Sequence, residues 1–561
     1  MKFSRLFLTI LLLILIITPR LAGLKSFVTL DEPFWLTTGG NFYHDLSHGK
    51  LENVIYEYHP AVTTMWIVTG AFVLYYPQFR SLDISVDNRT FDGILNDHGQ
   101  SPLTLLYFSR LLQLFVIVVA AMAIFYLIST MIGEQRAFLF TAFISSAPFF
   151  LGHSRILNHE GMVALFTLVS FFGLMVHLEH GRKIVPLFIS AVAASLAQLT
   201  KSSAMAMMPA IALVMIVSVI EKTKEGGFSR SLMDHLKIFG IWLAGLAITY
   251  VIIWPGMWVA PGKMLYEVYG NAFSNALQGA RLDVTQELDP SQFNLASIMN
   301  GIKIFGGELA TRTTPLTWMG WILAIIFFTR RGEKLKIYKK IIAYLLVNAV
   351  MFVVFFSVAQ GRNSLHYIMS SHVSVDGIAV LGWMMAVNWL SERWAFLANF
   401  KFQMGIAISL ILVQMGSALT FYPYYYTYTN PFFNNSIPSD YGEGFELAAE
   451  YLSQKPDVES LKVFSFRGRG PFSYFFPGET IILNPIFIEE PGMVSILERL
   501  KLSDYLVFND AMPLRTTKTA QFADALKNIE PEKSIHIRGV YTIRIYRVAD
   551  LPPSFYEAIQ K

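Results

Sequence analysis

Residues 30–66 read LDEPFWLTTGGNFYHDLSHGKLENVIYEYHPAVTTMW, a polar stretch between two apolar segments. Asp31 and Glu32 come directly after the first hydrophobic run, and Glu57 and His59 stand immediately before the second. Carboxylates and a histidine at the rim of a bilayer are costly to keep there without a task. The stretch therefore reads as an outer loop that carries an active site, and the rest of the chain can be tested against that reading.

Working outward, the composition agrees with a membrane setting. Of 561 residues, 54% are hydrophobic and only 15% are charged, far from the balance of a soluble domain. The formal net charge of +4 is small and spread along the chain, which excludes a nucleic-acid partner. The absence of cysteine excludes disulfides, thiolate metal sites and a cysteine nucleophile.

Upstream of the loop, Lys2 and Arg5 precede the apolar run Leu6 to Thr18, which Pro19, Arg20 and Gly23 end. A signal peptide has the same grammar, but no small-x-small cleavage site follows before Asp31, so the run reads as an uncleaved first span. Downstream, residues 61–77 are just long enough to cross but carry Thr63, Thr64, Thr69 and Gly70. Clear spans are expected near 103–130, 137–151, 161–178, 185–200, 202–220, 238–255, 313–329, 341–358, 366–388 and 402–421. The positive-inside rule decides the ambiguous piece. If 61–77 does not cross, the cytoplasmic loops hold Arg182, Lys183, Lys222, Lys224, Arg230, Lys237 and the cluster from Arg330 to Lys340; if it does, all of these face outward. The expectation is a mainly α polytopic protein of about eleven spans, with residues 61–77 dipping into the outer leaflet and the N-terminus inside.

This topology gathers several loops on one outer face. They are 24–102, GHSRILNHEG at 152–161, LTKSS at 199–203, the lid-like loop 256–312, and AQGRNSLHY at 359–367. Asp31, Glu57, His59, Arg155, Glu160, Lys201, Arg362 and His366 can then converge, as a site for an acidic, lipid-linked substrate would require. Each residue alone has a plainer reading. Asp31 can cap a helix that starts near Pro33, and Arg110, Arg155 and Arg362 can snorkel to lipid headgroups. Glu57-x-His59 with Glu160 can be read as a divalent-metal set, although two ligands two residues apart are a weak signal.

Residues 430–561 have ordinary polarity and follow the aromatic linker FYPYYYTYTNPFF. That linker reads as an interfacial belt, with a carbohydrate-stacking platform as the alternative. GFELAAEYLSQ and AQFADALKN have helical pattern, LKVFSF and DYLVF extended pattern, and SIHIRGVYTIRIYRV reads as a hairpin turning near Arg538 and Gly539. The segment reads as a small extracytoplasmic α/β domain without a catalytic motif.

At this point the residues carry a resemblance. Asp31-Glu32, Glu57-x-His59-Pro60, Arg110, Ser154-Arg155-x-Leu157-x-x-Glu160, Leu199-Thr200-Lys201, and Arg362 with His366-Tyr367 occur in an order that resembles the protein O-mannosyltransferases. The related aminoarabinose transferases that modify lipid A share it, all being membrane glycosyltransferases of the GT-C class. The resemblance covers roughly residues 1–425 and lies in the ordered combination. It implies a polyprenyl-phosphate donor carrying mannose or another hexose or pentose, and an acceptor hydroxyl on a protein, lipid or glycan. It also implies Asp31 as the catalytic base with Glu32 its neighbour, Glu160 as the acidic residue of the second outer loop, and Arg110, Lys201 and Arg362 on the lipid phosphate. Glu57, His59, Arg155, His366 and Tyr367 complete the implied substrate-binding set. The chain departs from the pattern at Pro60-Ala61, where mannosyltransferases commonly have two prolines, and at Tyr58, where the aminoarabinose enzymes have Lys. It also lacks the sugar-binding repeat insertion of the eukaryotic enzymes, which weighs against a protein acceptor.

The implied chemistry needs a base near the acceptor and cations where charge develops on the leaving phosphate. A carboxylate in a partly dehydrated pocket beside Glu57 or Glu160 is expected to be pushed upward by desolvation and like charge. Two other classes stay open: a transporter or flippase for lipid-linked sugars, and a non-catalytic scaffold. The expected setting is a prokaryotic plasma membrane.

Overall fold

The computed structural model describes residues 4–55, 59–82, 90–270, 272, 294–330, 332–358, 364–433, 441–483, 490–510, 517–538 and 541–560. The chain divides into two compact units. One comprises Met1–Ala22, Thr38–Leu82 and Ser109–Phe433, and the other Gly23–Thr37, Asp83–Phe108 and Asn434–Lys561. The second unit thus takes in two pieces of the first loop as well as the C-terminal segment.

In the first unit apolar sequence becomes helix because only an intrasegment hydrogen-bond ladder satisfies a backbone deprived of water. The helices are α1 (Arg5–Leu21), α2 (Glu32–Ser47, which begins in the second unit), α3 (Val62–Tyr75), α4 (Phe91–Asp97, wholly in the second unit) and α5 (Pro102–Ile132, which crosses from the second unit). They continue as α6 (Glu134–Ser145), α7 (Pro148–His153), α8 (Glu160–Glu179), α9 (Ile184–Thr200), α10 (Met207–Gly226) and α11 (Phe228–Ile253). After the short turns α12 (Gly256–Val259) and α13 (Pro261–Leu265) come α14 (Leu295–Arg312), α15 (Pro315–Phe328), α16 (Glu333–Val358), α17 (Met369–Arg393) and α18 (Phe400–Leu419).

Each expected span falls on a helix, or on the pair α6 and α7, which Pro148 separates where a single crossing was expected. Among the described residues, seven helices are long and apolar enough to cross a membrane. The protein is therefore an integral membrane protein. α3 has 14 residues, a length of about 21 Å against the roughly 30 Å of a hydrocarbon core. That suits a helix that dips, but α15 has the same length and α9 has 17 residues, and both were expected to cross.

α8 lies at the centre, with its membrane window fully buried. It packs on α9 and α17, and α17 packs in turn on α6, α15 and α16. Close approach depends on small residues, as helices in lipid require. A Cβ on Gly382 of α17 would stand 2.0 Å from the Gly320 carbonyl oxygen of α15, and one on Gly173 of α8 would stand 2.7 Å from the Pro186 oxygen of α9. Polar bonds supplement the packing: Thr317 donates to Asp376 Oδ1 at 2.7 Å, and Trp242 Nε1 to Ser190 Oγ at 2.9 Å.

The C-terminal part of the second unit is a five-stranded sheet in the order β2-β1-β3-β5-β4. Its strands are β1 (Lys462–Phe466), β2 (Glu479–Leu483), β3 (Tyr505–Asn509), β4 (Lys533–Ile537) and β5 (Tyr541–Arg547). β1 pairs in parallel with β2 and β3, and β5 runs antiparallel to β3 and β4, which makes the expected hairpin. The period of two sends Phe464, Phe466, Leu506, Phe508 and Tyr546 into one core and Val463, Val507, Ile543 and Ile545 into the other. The unit's helices are α4, α19 (Phe445–Leu452), α20 (Glu490–Lys501), α21 (Thr517–Leu526) and α22 (Pro553–Gln560). Phe445, Ala448 and Leu452 of α19 pack in the second core, and Leu497, Phe522 and Phe555 of the last three helices pack in the first.

Candidate functional site

Residues 180–183 join α8 to α9, so the start of α8 and the end of α9 lie together at the far end of an antiparallel pair. Glu160 opens α8, where the helix dipole favours an anion, and Lys201 caps α9, where it favours a cation. Their side chains meet: Lys201 Nζ donates to Glu160 Oε1, and exposure is only 4% and 3%. Lys201 Nζ also lies 3.9 Å from the centre of the Tyr367 ring, a cation–π contact. A buried ion pair contributes little net stability, because desolvation offsets most of the attraction.

Imidazoles surround the pair. His59 Nδ1 is 3.3 Å from Ser202 Oγ, and its ring meets that of His159 edge-on at 6.1 Å. His366 lies 4.7 Å from Tyr367 and 5.3 Å from His153, ring centre to ring centre. Burial, and then the Lys201 cation, hold His159 well below the usual histidine range. Burial does the same to His153, with His366, His372, Arg312 and Lys201 adding to it. Both rings are therefore neutral near pH 7.

The loop before Glu160 is held from below by Gln113 of α5. Its Nε2 donates to the Ile156 carbonyl, its Oε1 accepts from Asn158 N at 3.2 Å, and Asn158 Oδ1 accepts from Glu160 N at 2.6 Å. Arg155 binds main-chain carbonyls at two distant points, Ala22 and Pro423, and lies 5.2 Å over the Tyr425 ring. Arg20, read from sequence only as a helix end, is buried and donates to Ser154 Oγ at 2.8 Å and to the Ile16 and Ser145 carbonyls at 3.0 Å. Arg110 is buried on α5 at 1% exposure.

Beside the pair runs an apolar cavity of about 800 Å³ formed by α3, α5, α8 and α9 and the end of α11. Thr63, Leu112, Val116, Phe166, Val192 and Leu196 represent its walls. Thr63 is also the link to the charged site, because its hydroxyl lies 2.8 Å from that of Thr200, the residue before Lys201.

In the second unit, Asp31 and Glu32 have opposite surroundings. Glu32 is fully buried, and its Oε2 accepts from Thr29 N at 2.8 Å and Thr29 Oγ1 at 3.0 Å, which closes the turn before α2. Asp31 is exposed, and its Oδ2 accepts from the Tyr441 hydroxyl at 2.9 Å. The dehydrated pocket expected around Asp31 is not what the structure has there.

Glu57 and Arg362 lie outside the described residues, as do residue 271 and residues 273–293 of the lid-like loop. The remaining metal candidates do not make a fitting ligand set. Glu160 is paired with Lys201, whose charge repels a second cation, and no group of three His, Asp or Glu ligands stands together among the described residues. Of the residues singled out from sequence, the fold of the first unit brings together His59, Glu160, Lys201, His366 and Tyr367. His153 and His159 went unselected, although both stand in the quoted loop GHSRILNHEG, where two more histidines were the available signal. Nothing in the sequence pointed to Tyr441, 410 residues from its carboxylate.

No protein-family model and no curated protein matches the chain. Among solved structures it is similar to ArnT from Cupriavidus metallidurans bound to undecaprenyl phosphate, at 12% identity over 96% of this chain and 97% of that one, with a TM-score of 0.48. It is also similar to the oligosaccharyltransferase of Archaeoglobus fulgidus in its apo form, at 11% identity over 94% of this chain and 71% of that one, with a TM-score of 0.47. The same archaeal enzyme, AglB, in complex with an inhibitory peptide and a dolichol-phosphate, aligns at 12% identity over 99% and 77% of the two chains, with a TM-score of 0.43. At TM-scores below 0.5 none of these likenesses decides fold or activity.

Proposed function

We propose that the protein is an inverting glycosyltransferase that moves a sugar from a polyprenyl-phosphate donor to an acceptor hydroxyl. One observation carries the reading: a buried, aromatic-capped lysine paired with the Glu160 carboxylate stands beside an apolar cavity of about 800 Å³. The two parts match the two ends of such a donor, since the cavity offers an isoprenoid chain a water-free wall and Lys201 offers its phosphate a charge-assisted hydrogen bond.

In this reading Asp31 takes the proton from the acceptor hydroxyl as its oxygen bonds to C1 of the sugar. The C1–O bond to phosphate breaks, the anomeric centre inverts, and polyprenyl phosphate leaves with the electron pair. Lys201 meets the charge growing on that phosphate, and Glu160 keeps the ammonium aimed when no donor is bound. Arg110 and Arg362 are assigned to the same phosphate, His59, His366 and Tyr367 to the sugar, and Glu57 to the substrate pocket. The acceptor class is a protein, lipid or glycan.

The test is release of label from radiolabelled undecaprenyl-phosphate hexoses by purified protein in detergent, with envelope extract as acceptor. Lys201→Met and Asp31→Asn should each lose on the order of a hundredfold or more in rate, the scale for removing one group that stabilises developing charge. Wild-type turnover in both variants would end the proposal, whereas loss in both identifies the acceptor from the labelled product of the wild type.

A further inference from the structure

The C-terminal domain carries no catalytic motif, yet it supplies side chains to the segment that holds Asp31. Leu30 N donates to the Tyr441 carbonyl at 3.2 Å, the Tyr441 hydroxyl donates to Asp31 Oδ2 at 2.9 Å, and Tyr441 N is held by Glu443 Oε2 at 2.9 Å. Further along the same domain, 28 residues after Tyr441, Arg469 grips the first turns of α2. Its Nη2 donates to Thr37 Oγ1 at 2.9 Å and to the Pro33 carbonyl at 3.4 Å, while its fork binds Asp92 through Nε at 2.8 Å and Nη2 at 3.2 Å. Tyr474 closes the network by donating to Asp92 Oδ1 at 2.9 Å. Backbone contact accompanies the side chains. Gly470, at φ +86°, comes so near Pro33 that a Cβ would stand 2.3 Å from its Cγ, and Gly442, at φ +112°, would place one 2.7 Å from the Val28 carbonyl oxygen.

We propose that Tyr441 is a positioning residue for Asp31, and that Tyr441 and Arg469 together make the C-terminal domain part of the catalytic apparatus. The proposal rests on the reading of Asp31 as the base. A phenol hydrogen-bonded to one oxygen of an exposed carboxylate contributes little to stability, because water competes for the same lone pair. What it does is fix the carboxylate rotamer and favour the charged form, and a base that must meet an acceptor hydroxyl in one orientation depends on both. The arginine fork, with the paired Asp92 and the phenol of Tyr474, keeps the Pro33–Thr37 backbone from drifting, so that Asp31 stays in register with its partner. Among the described residues, the ionisable groups next to Asp31 include its partner Tyr441, Glu443 on the Tyr441 backbone and the adjacent Glu32, which Thr29 engages, with the Arg469–Asp92 pair further along.

Tyr441→Phe removes one oxygen and leaves the half-buried ring in place. Two readouts on the full-length protein in detergent test it: the pH midpoint of carbodiimide modification of Asp31, followed by peptide mass spectrometry, and the kinetics of label release from undecaprenyl-phosphate mannose. The variant should raise the Asp31 midpoint by roughly half to one pH unit, a three- to tenfold change in the ionisation constant. It should lower kcat by a similar factor with KM for the donor unchanged. An unshifted midpoint would overturn the positioning role, and the labelling experiment decides this even if mannose is not the sugar transferred. Asp31→Asn separates the two ideas. Wild-type turnover in Asp31→Asn refutes the base itself, whereas an inert Asp31→Asn beside a Tyr441→Phe that matches wild type in midpoint and kcat refutes Tyr441 alone.

Discussion

Lys201 and Glu160 show how a membrane protein keeps a charge where lipid would expel it. A helix end of opposite partial charge sits behind each group, an aromatic face covers the ammonium, and the carboxylate neutralises it. The neutral histidines nearby have a measurable consequence. In the folded protein His153 and His159 are held well below the usual range, first by burial, whereas in the unfolded chain each titrates near 6.5. Above that pH both states are uncharged and stability does not vary on their account. Below it the unfolded chain takes up protons that the folded protein refuses, so stability should fall as pH drops from about 6.5 toward the folded values, by up to about 1.4 kcal/mol per unit for each histidine. The melting temperature of the purified protein between pH 7 and pH 5 reads this out, and His159→Gln should flatten the slope. A wild-type curve flat across that window would mean that these rings are protonated in place.

Among elements, the crossing of α15 and α17 and the cavity between α3, α5 and α9 respond to substitution in opposite ways. Gly382→Ala drives a methyl group into the Gly320 carbonyl and the Ala324 backbone nitrogen, 2.0 and 2.6 Å from the new Cβ. The overpacking should cost about 1–3 kcal/mol, seen as a lower melting temperature, while Gly405→Ala, with nothing within 4 Å, should leave it unchanged. Val192→Trp, by contrast, fills open space in the cavity and should leave folding intact. If the cavity holds the donor's isoprenoid chain, this substitution should raise KM at least about tenfold for a long-chain donor and much less for one with a short prenyl chain, since binding there scales with buried methylenes. Equal effects on both donors would place the chain elsewhere.

For the molecule as a whole, orientation is the property that charge distribution predicts and helices alone do not. The chain has no cysteine, so single replacements report without background. Lys183→Cys, in the exposed turn between α8 and α9, should resist a membrane-impermeant maleimide in intact cells, and Gln454→Cys, exposed after α19, should react. The reverse pattern would mean that residues 61–77 cross.

Hydrophobic runs were enough to mark the apolar helices, the polar C-terminal domain with its β4–β5 hairpin, and Glu160 and Lys201 as charges at helix ends, because each of these is a local property of the chain, whereas the less apolar α14 stands where a loop over 256–312 was expected. Local pattern could not reveal that Arg155 would bind the Ala22 and Pro423 carbonyls, that the Arg20 side chain would be buried against Ser154, or that Thr63 would meet Thr200 beside an open cavity. Nor could it pair Asp31 with Tyr441 or Thr37 with Arg469. Those contacts join residues separated by more than a hundred positions, and they arise only when packed helices and a folded sheet bring distant segments within hydrogen-bonding range.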